Sequence, residues 1–484
     1  MLRSLISLLG LAGAVLALPA ACGGSHGAAL QVGAGAEMLI DSRLLAIQRG
    51  TRLRLHPPER REVVLTLDRP WEGPHSAYFS VLRAGGRIRL YYRGHTPDDS
   101  SDEQVACMAE SADGIRFTRP SLGLHAFRGR RDNNIVFVGK EAHNFAPFLD
   151  PAAQSARERW KALGGVGGRL FAFASPDGLR WHRLREEPVL TSGAFDSLNV
   201  AFYDPVARIY RCYSRWWTGR DYRGLRAIQT ATSSDFLRWS EPVPCRYASG
   251  EPDEHFYTSA VTPCPGAPHI LLAFPMRFVP ERTRVPGYPE PGVSDALFLT
   301  SRDGVLWDRT FREAWLRPGR DPRNWTQRSC MPAWGIVETA PDEFSLYASE
   351  HYAWPDNRLR RLVVRRHGFA SLHAGFPSGE AVTRPLALQG AELRLNFATS
   401  AAGEIALEIQ DPAGQPIPGY ALEDYQGPRF GDEIDAPARW RRGHRLDGLS
   451  RQPLRLRIVL RDADLFALRS PQAGAPARAA HPDP

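Results

Sequence analysis

Short runs in which apolar and polar positions alternate fill most of this chain, and almost none carries the spacing of an amphipathic helix. Residues 75–82, 87–93 and 104–110 form the first triplet of such runs, each the length of a β-strand and rich in aromatic and branched side chains. The triplet returns at 144–150, 159–163 and 169–174, at 197–203, 209–215 and 226–231, at 256–262, 269–277 and 296–300, and at 329–337, 343–350 and 358–364. One helical turn is expected, near 151–159. After each of the first four triplets comes a short phrase: Ser111-Ala-Asp113-Gly114-Ile-Arg-Phe117, Ser175-Pro-Asp177-Gly178-Leu-Arg-Trp181, Ser234-Asp235-Phe-Leu-Arg-Trp239 and Ser301-Arg-Asp303-Gly304-Val-Leu-Trp307. Arg366-His367-Gly368-Phe369 is a weaker echo. The intervals from Asp113 to Asp177, Asp235, Asp303 and Gly368 are 64, 58, 68 and 65 residues, room for one four-stranded sheet each. Asp-Gly supplies a tight turn and the aromatic packs on a neighbouring sheet, so the phrase marks fold, not chemistry.

From about Gly379 the pattern changes. Residues 393–397, 404–409 and 454–460 alternate strictly, as strands with one dry face do, and the repeated phrase is gone. The expected fold is therefore all-β, a five-bladed β-propeller over 38–379 followed by a C-terminal β-sandwich accessory domain over 380–470. A Pro/Ala-rich disordered tail is expected over 471–484. Arg3, the apolar stretch from Leu5 to Leu18 and the small residues up to Cys22 have the layout of an export signal over 1–22, followed by a Gly-rich flexible tether over 23–37. Cys22 follows Ala20-Ala21 and leaves two readings open, simple cleavage or lipid attachment to a membrane. Export places the protein in the periplasm, on the outer membrane or outside the cell.

Net charge is +8, but the only lysines are Lys140 and Lys161, and no basic run is interleaved with aromatics, so no nucleic-acid partner is expected. The five cysteines beyond Cys22 are odd in number and match no metal motif; neither a metal nor another cofactor is expected, and a Cys245–Cys264 pair stays open.

In an up-and-down sheet the first strand starts where the second ends, so both places rim one end of the axis. Strand starts select Glu72, His75, His143, Asn144, Asp196, Asn199, Glu254, His255, Tyr257, Gln327 and Arg328; strand ends select Arg93, Arg215, Arg277, Glu350 and His351. Carboxylates facing arginines and aromatics suit sugar chemistry, in which one acid protonates the leaving oxygen and another attacks the sugar or activates water. Asp196 is the preferred base or nucleophile, Glu254 the preferred general acid, and Glu350 the substitute for either. The remaining rim residues Glu72, His75, Arg93, Asn144, Asn199, Arg215, His255, Tyr257, Arg277, Arg328 and His351 are expected to bind the carbohydrate. A rim of acids that merely satisfies its arginines is the competing explanation.

Pro70-Trp-Glu-Gly73, Asp132-Asn-Asn-Ile-Val136, Gly193-Ala-Phe-Asp-Ser-Leu-Asn199, Phe274-Pro-Met-Arg-Phe278, Pro332-Ala-Trp-Gly335 and Ser349-Glu-His-Tyr352 resemble motifs of a group of exported bacterial proteins. That group is similar to five-bladed propeller glycosidases of the invertase and arabinanase type. The resemblance spans about Leu39 to Arg469 and implies a propeller acting on glycans. The better-known glycosidases carry Asn-Asp-Pro-Asn and Arg-Asp-Pro at places where this chain has neither, so the resemblance assigns no catalytic residue.

Overall fold

The computed structural model describes residues 29–95, 104–449 and 451–472, and over them the chain is all-β with a few single 3-10 turns. The expected signal over 1–22, Cys22 and nearly all of the expected tail lie outside the described residues. Four antiparallel sheets of four strands follow the predicted triplets. The first joins Ala77–Ala84, Arg87–Gly94, Val105–Ser111 and Ile135–Val138; the second Ala146–Leu149, Trp160–Gly164, Phe171–Ser175 and His182–Arg183. The third joins Val200–Asp204, Ile209–Trp217, Arg226–Ser233 and Val243–Pro244. In the last, Val337–Ala340, Glu343–Glu350 and Arg358–Arg365 take their outer strand, Glu59–Thr66, from the other end of the chain.

Between the third sheet and the last, the fourth triplet is broken in two. His255–Phe256, Met276–Val279 and Val293–Ala296 form one piece, and Thr262–Cys264, Ala267–Ala273, Leu299–Ser301 and Leu306–Asp308 belong to another. Pro275 lacks the N–H that a continuous ladder would need between the two pieces. The helical turn near 151–159 is a 3-10 turn at Ala156–Glu158, and a second, Lys140–Asn144, occupies the start of the predicted second triplet.

The repeated phrase is a side-chain-locked turn. Asp113 Oδ1 accepts from the backbone N–H groups of Ile115 and Arg116, and Ser111 Oγ donates to the same oxygen while accepting from Gly114. Asp177 and Asp303 repeat the pattern with Ser175 and Ser301. In the third copy the serine is Ser233, one place before the Ser234 read from the sequence, and Phe236 stands where the others have glycine, at φ 67°. Glycine is needed elsewhere because a neighbouring tyrosine hydroxyl reaches the turn: a Cβ on Gly114 would lie 2.9 Å from Tyr347 Oη. Tyr347 Oη donates to Gly114 O at 2.7 Å, Tyr91 to Gly178 O at 3.0 Å and Tyr213 to Gly304 O at 2.9 Å. The tyrosine of the last sheet thus staples the turn of the first. At the second-to-third junction the Phe236 ring fills the space itself, 5.6 Å from the ring of Phe148.

The ends of the inner strands converge on a cavity of about 1060 Å³ whose lining includes Leu82, Phe148, Phe202, Pro263 and Trp334, one from each triplet. The starts of those strands lie at the opposite end.

The last sheet of the chain is larger than the boundary at 379/380 allows. Arg394–Gln410 and Pro453–Arg469 pair along their length, burying Leu395, Phe397, Leu456, Ile458 and Leu460 on one face. Leu45–Arg49 and Thr51–Leu55, expected with the repeats, pair instead with Gly379–Thr383 and Ala370–Ala374 of this ten-stranded sheet. The expected tether over 23–37 is also corrected where it is described: Leu30–Val32 runs parallel to Leu386–Leu388 and Glu37–Met38 pairs with Leu468 and Ala467. Burial of Val32 in the core of this sheet, and of Met38 in the neighbouring core with Phe274 and Phe369, outweighs the flexibility of the glycines around them. Cys245 and Cys264 are buried free thiols, as are the other described cysteines.

Candidate functional site

Strand register brings a cluster of arginines, tyrosines and histidines to the end where the inner strands start. Ala77 pairs with Arg93, which puts the end of the second strand beside the start of the first. A bulge between Ala77 and Ser80 leaves Tyr78 out of the ladder at φ 58°, and its ring turns to the cluster with Arg93 Cζ 4.8 Å above it. Arg328 is likewise left-handed, at φ 59°, with its guanidinium 5.5 Å from the Tyr257 ring and 4.9 Å from the Tyr352 ring. Arg215, at the end of Ile209–Trp217, lies 4.8 Å from the Tyr257 ring. Two non-glycine residues in the left-handed region of one small cluster store about 1–2 kcal/mol each, a cost seen most often at functional sites.

Asp196 is held there from several sides. Its carboxylate pairs with Arg215, and its side chain is 49% exposed while that of Arg215 is 3% exposed. Its backbone carbonyl accepts from Tyr78 Oη at 3.2 Å and lies 3.3 Å from His143 Nε2. The preceding carbonyl, Phe195 O, accepts from both Asn144 and Asn199. These two asparagines, expected to bind substrate, are buried positioning residues for the Asp196 loop.

Arg93 donates to His75 O at 2.6 Å and lies 3.2 Å from His143 Nδ1. Burial and the Arg93 guanidinium push the His143 pKa down to about 2, so the ring stays neutral. His75 faces Glu290 at 3.5 Å and stands 5.6 Å from the Tyr352 ring; Glu290 also accepts from Gln327. Arg226 lies 4.4 Å from the Trp217 ring and 5.3 Å from that of Tyr257, and its N–H donates to His255 Nδ1 at 3.1 Å. Burial alone would raise the Tyr257 pKa, but the guanidiniums of Arg328 and Arg215 outweigh it and hold the phenol below its ordinary value.

Of the predicted residues, the structure therefore groups His75, Arg93, His143, Asp196, Arg215, His255, Tyr257 and Arg328, with Asn144 and Asn199 beneath the Asp196 loop and Gln327 on Glu290. Glu72, Glu254, Arg277, Glu350 and His351 fall into separate ion-pair or hydrogen-bond networks. Glu72 is buried under Tyr92 and Arg119, which occupy both its oxygens. Glu254 bonds Arg309 through one oxygen and Arg277 through the other. Arg277 is taken up by Asp295 at 2.9 and 2.6 Å. Glu350 is 4% exposed and shares Arg358, Arg360 and Arg60 at 3.0, 2.7 and 3.4 Å. His351 is sandwiched between Asp321 and Asp356 at 2.8 and 2.9 Å. For these residues the competing explanation, acids that satisfy arginines or rings, describes the contacts.

Sequence reasoning passed over Tyr78, Arg226 and Glu290. Arg226 was within reach: the third strand starts where the second ends, so the same rule selects it. Tyr78 depends on a bulge, and Glu290 on a segment between paired strands, and neither has a local signal. Among the described residues no group of three or more His, Cys, Asp or Glu is placed to hold a metal ion.

No protein-family model and no curated protein matches the chain. Among solved structures it is similar to a glycoside hydrolase at 12% identity, over 64% of this chain and 92% of the other, with a TM-score of 0.45. It is also similar to an N-acetylgalactosamine deacetylase from F. plautii in complex with blood group B trisaccharide, at 14% identity over 66% and 96% with a TM-score of 0.42. A third is a β-1,2-mannobiose phosphorylase from Listeria innocua, at 11% identity over 65% and 97% with a TM-score of 0.40. At these identities and TM-scores the likenesses give no residue a role.

Proposed function

We propose that the protein is an exported glycoside hydrolase, a five-bladed β-propeller with a C-terminal β-sandwich, working at the cluster around Asp196. The propeller reading is supported by the inner-strand ends of all five triplets meeting at one cavity and by the tyrosine staple from the last sheet to the first turn. Alternation of apolar and polar residues over 393–397, 404–409 and 454–460 supports the sandwich, and the layout of residues 1–22 supports export, with or without a lipid on Cys22.

One observation carries the functional reading: Asp196 is a half-exposed carboxylate fixed by Arg215 and by its own loop, with the part-exposed rings of Trp216 and Trp217 at the end of the strand that carries Arg215. Asp196 takes the role of base or nucleophile. Asp196→Asn should lower sugar release from the responsive glycan by about 10²–10⁴-fold with the fold intact, the range for loss of an acid or base. Undiminished release by that variant would remove the assignment. The engagement of Glu254 and Glu350 favours a second reading, a propeller that binds glycans without cutting them; binding without release across a broad glycan panel would select it.

A further inference from the structure

The cluster around Asp196 is out of electrostatic balance. Arg93, Arg215 and Arg328 all act on the Tyr78 hydroxyl, and Arg226 lies between the Trp217 ring and the neighbouring Tyr257 ring. Against these four guanidiniums the described residues set three carboxylates: Asp196 and Glu290, already engaged with Arg215 and with Gln327 and His75, and Glu281, which acts on His255. Donors are left over: Arg215 Nε and Nη1, Arg93 Nε and Arg328 Nε are buried without a hydrogen-bond partner. Buried N–H groups of a charged fork are costly to leave unmade, and a surplus of positive charge in a site of low dielectric attracts an anion. A guanidinium offers paired, parallel N–H groups, the geometry that matches the oxygens of a carboxylate or a sulfate.

We propose that the glycan taken by this site is acidic, with an oxyanion on the sugar, a carboxylate or a sulfate ester, held beside Asp196 by the half-buried Arg328 and Arg226, with the buried Arg93 and Arg215 adding positive charge beneath. The inference rests on the glycan-active reading and names its substrate class. The charged group would set where the sugar lies relative to the half-exposed carboxylate of Asp196. Two further observations agree with it. Burial together with the neighbouring Arg215 lowers the Arg226 pKa, the mark of like charges held close. Arg93 and Arg215 are each 4% exposed, so little water screens the positive charge they add.

The test uses sugars that differ only at C6: oligomers of galactose, of galacturonic acid and of galactose 6-sulfate, with the gluco series alongside and sodium acetate and sulfate as free anions. Binding to the full chain is measured by calorimetry at low and moderate salt. At least one acidic series should bind about tenfold or more tightly than its neutral counterpart, the scale of one charge-assisted hydrogen bond, with the preference shrinking as salt rises. Whether the carboxylate or the sulfate series wins identifies the group. Arg328→Gln should abolish the preference, whereas Arg360→Gln, at the separate Glu350 network, should keep it; circular dichroism and melting curves establish that both variants fold. Neutral sugars bound as tightly as acidic ones would overturn the acidic-substrate inference and leave the glycan reading standing. Free acetate or sulfate bound as tightly as the sugars would overturn it in favour of a plain anion site. Absence of binding by every sugar would overturn both.

Discussion

Two parts of this molecule are built from the same side chains and reach opposite ends. Around Glu350, three arginines close on one buried carboxylate whose oxygens are all used, while the arginines themselves keep side-chain exposures of 20–31% and so stay partly hydrated. Around Asp196 the positions are reversed: the acid is half-exposed and the arginine is buried, with donors unspent. An acid buried under exposed arginines is a closed structural pair, because water can serve the surplus charge. Buried arginines under an exposed acid are an open site, because nothing in the described surroundings finishes their hydrogen bonds. Composition alone does not separate the two; the distribution of burial between the partners does.

The strongest way to break the comparison is to neutralise each acid in turn. Glu350→Gln leaves three guanidiniums around a group that no longer balances them and should cost about 3 kcal/mol, the lower end for breaking a buried pair because the arginines are partly solvated. Urea unfolding should show a lower midpoint at an unchanged slope. Asp196→Asn takes the counter-charge from the buried Arg215 but leaves an amide oxygen to accept from it, and should cost about 1–2 kcal/mol, less than Glu350→Gln, while lowering the proposed sugar release. Equal stability losses in the two variants would erase the distinction drawn between the regions.

The difference was only partly legible in the sequence. Turns were, because Ser-x-Asp-Gly locks its own backbone within a few residues and needs no distant partner. The central rim was legible in part, because strand alternation fixes which ends meet, and that rule found Arg93, Asp196, Arg215, Tyr257 and Arg328. Partner choice was not. Glu350 draws Arg60 from a strand at the far end of the chain, and Glu254 draws Arg309 from beyond a long insertion. The split of the fourth triplet at Pro275 was visible as a proline in a strand run, but its consequence, two sheets in place of one, needed the coordinates.

Acid pH gives a second, smaller separation. His143, in the open cluster, has its pKa lowered to about 2, and His367, buried beside Phe344, to about 4. Both are lowered by burial first, so the folded state disfavours the proton that the unfolded chain accepts near pH 6.5. Their contribution to stability is therefore complete above about pH 6.5 and is lost as pH falls below it, by up to about 1.4 kcal/mol per pH unit for each ring. The loss should end near pH 4 for His367 and continue lower for His143. Melting temperatures measured from pH 7 to pH 4.5 should fall, and His143→Gln should flatten part of that slope. An unchanged slope would mean that His143 is protonated in the folded cluster.

The smallest expected effect tests the ring that holds both regions in place. Tyr347 lies on the same strand as Glu350, and its hydroxyl bonds the turn carbonyl of Gly114 in the first sheet, as Tyr91 and Tyr213 bond Gly178 and Gly304. Replacing any of the three with phenylalanine removes one buried hydrogen bond and leaves a carbonyl without its donor, a loss of about 1–2 kcal/mol. Were the sheets an open row, Tyr347→Phe would untie only a terminal contact and cost less than Tyr91→Phe or Tyr213→Phe. In a closed ring all three staples are interior, so the three losses should agree within about 0.5 kcal/mol, the limit within which distant sites behave independently.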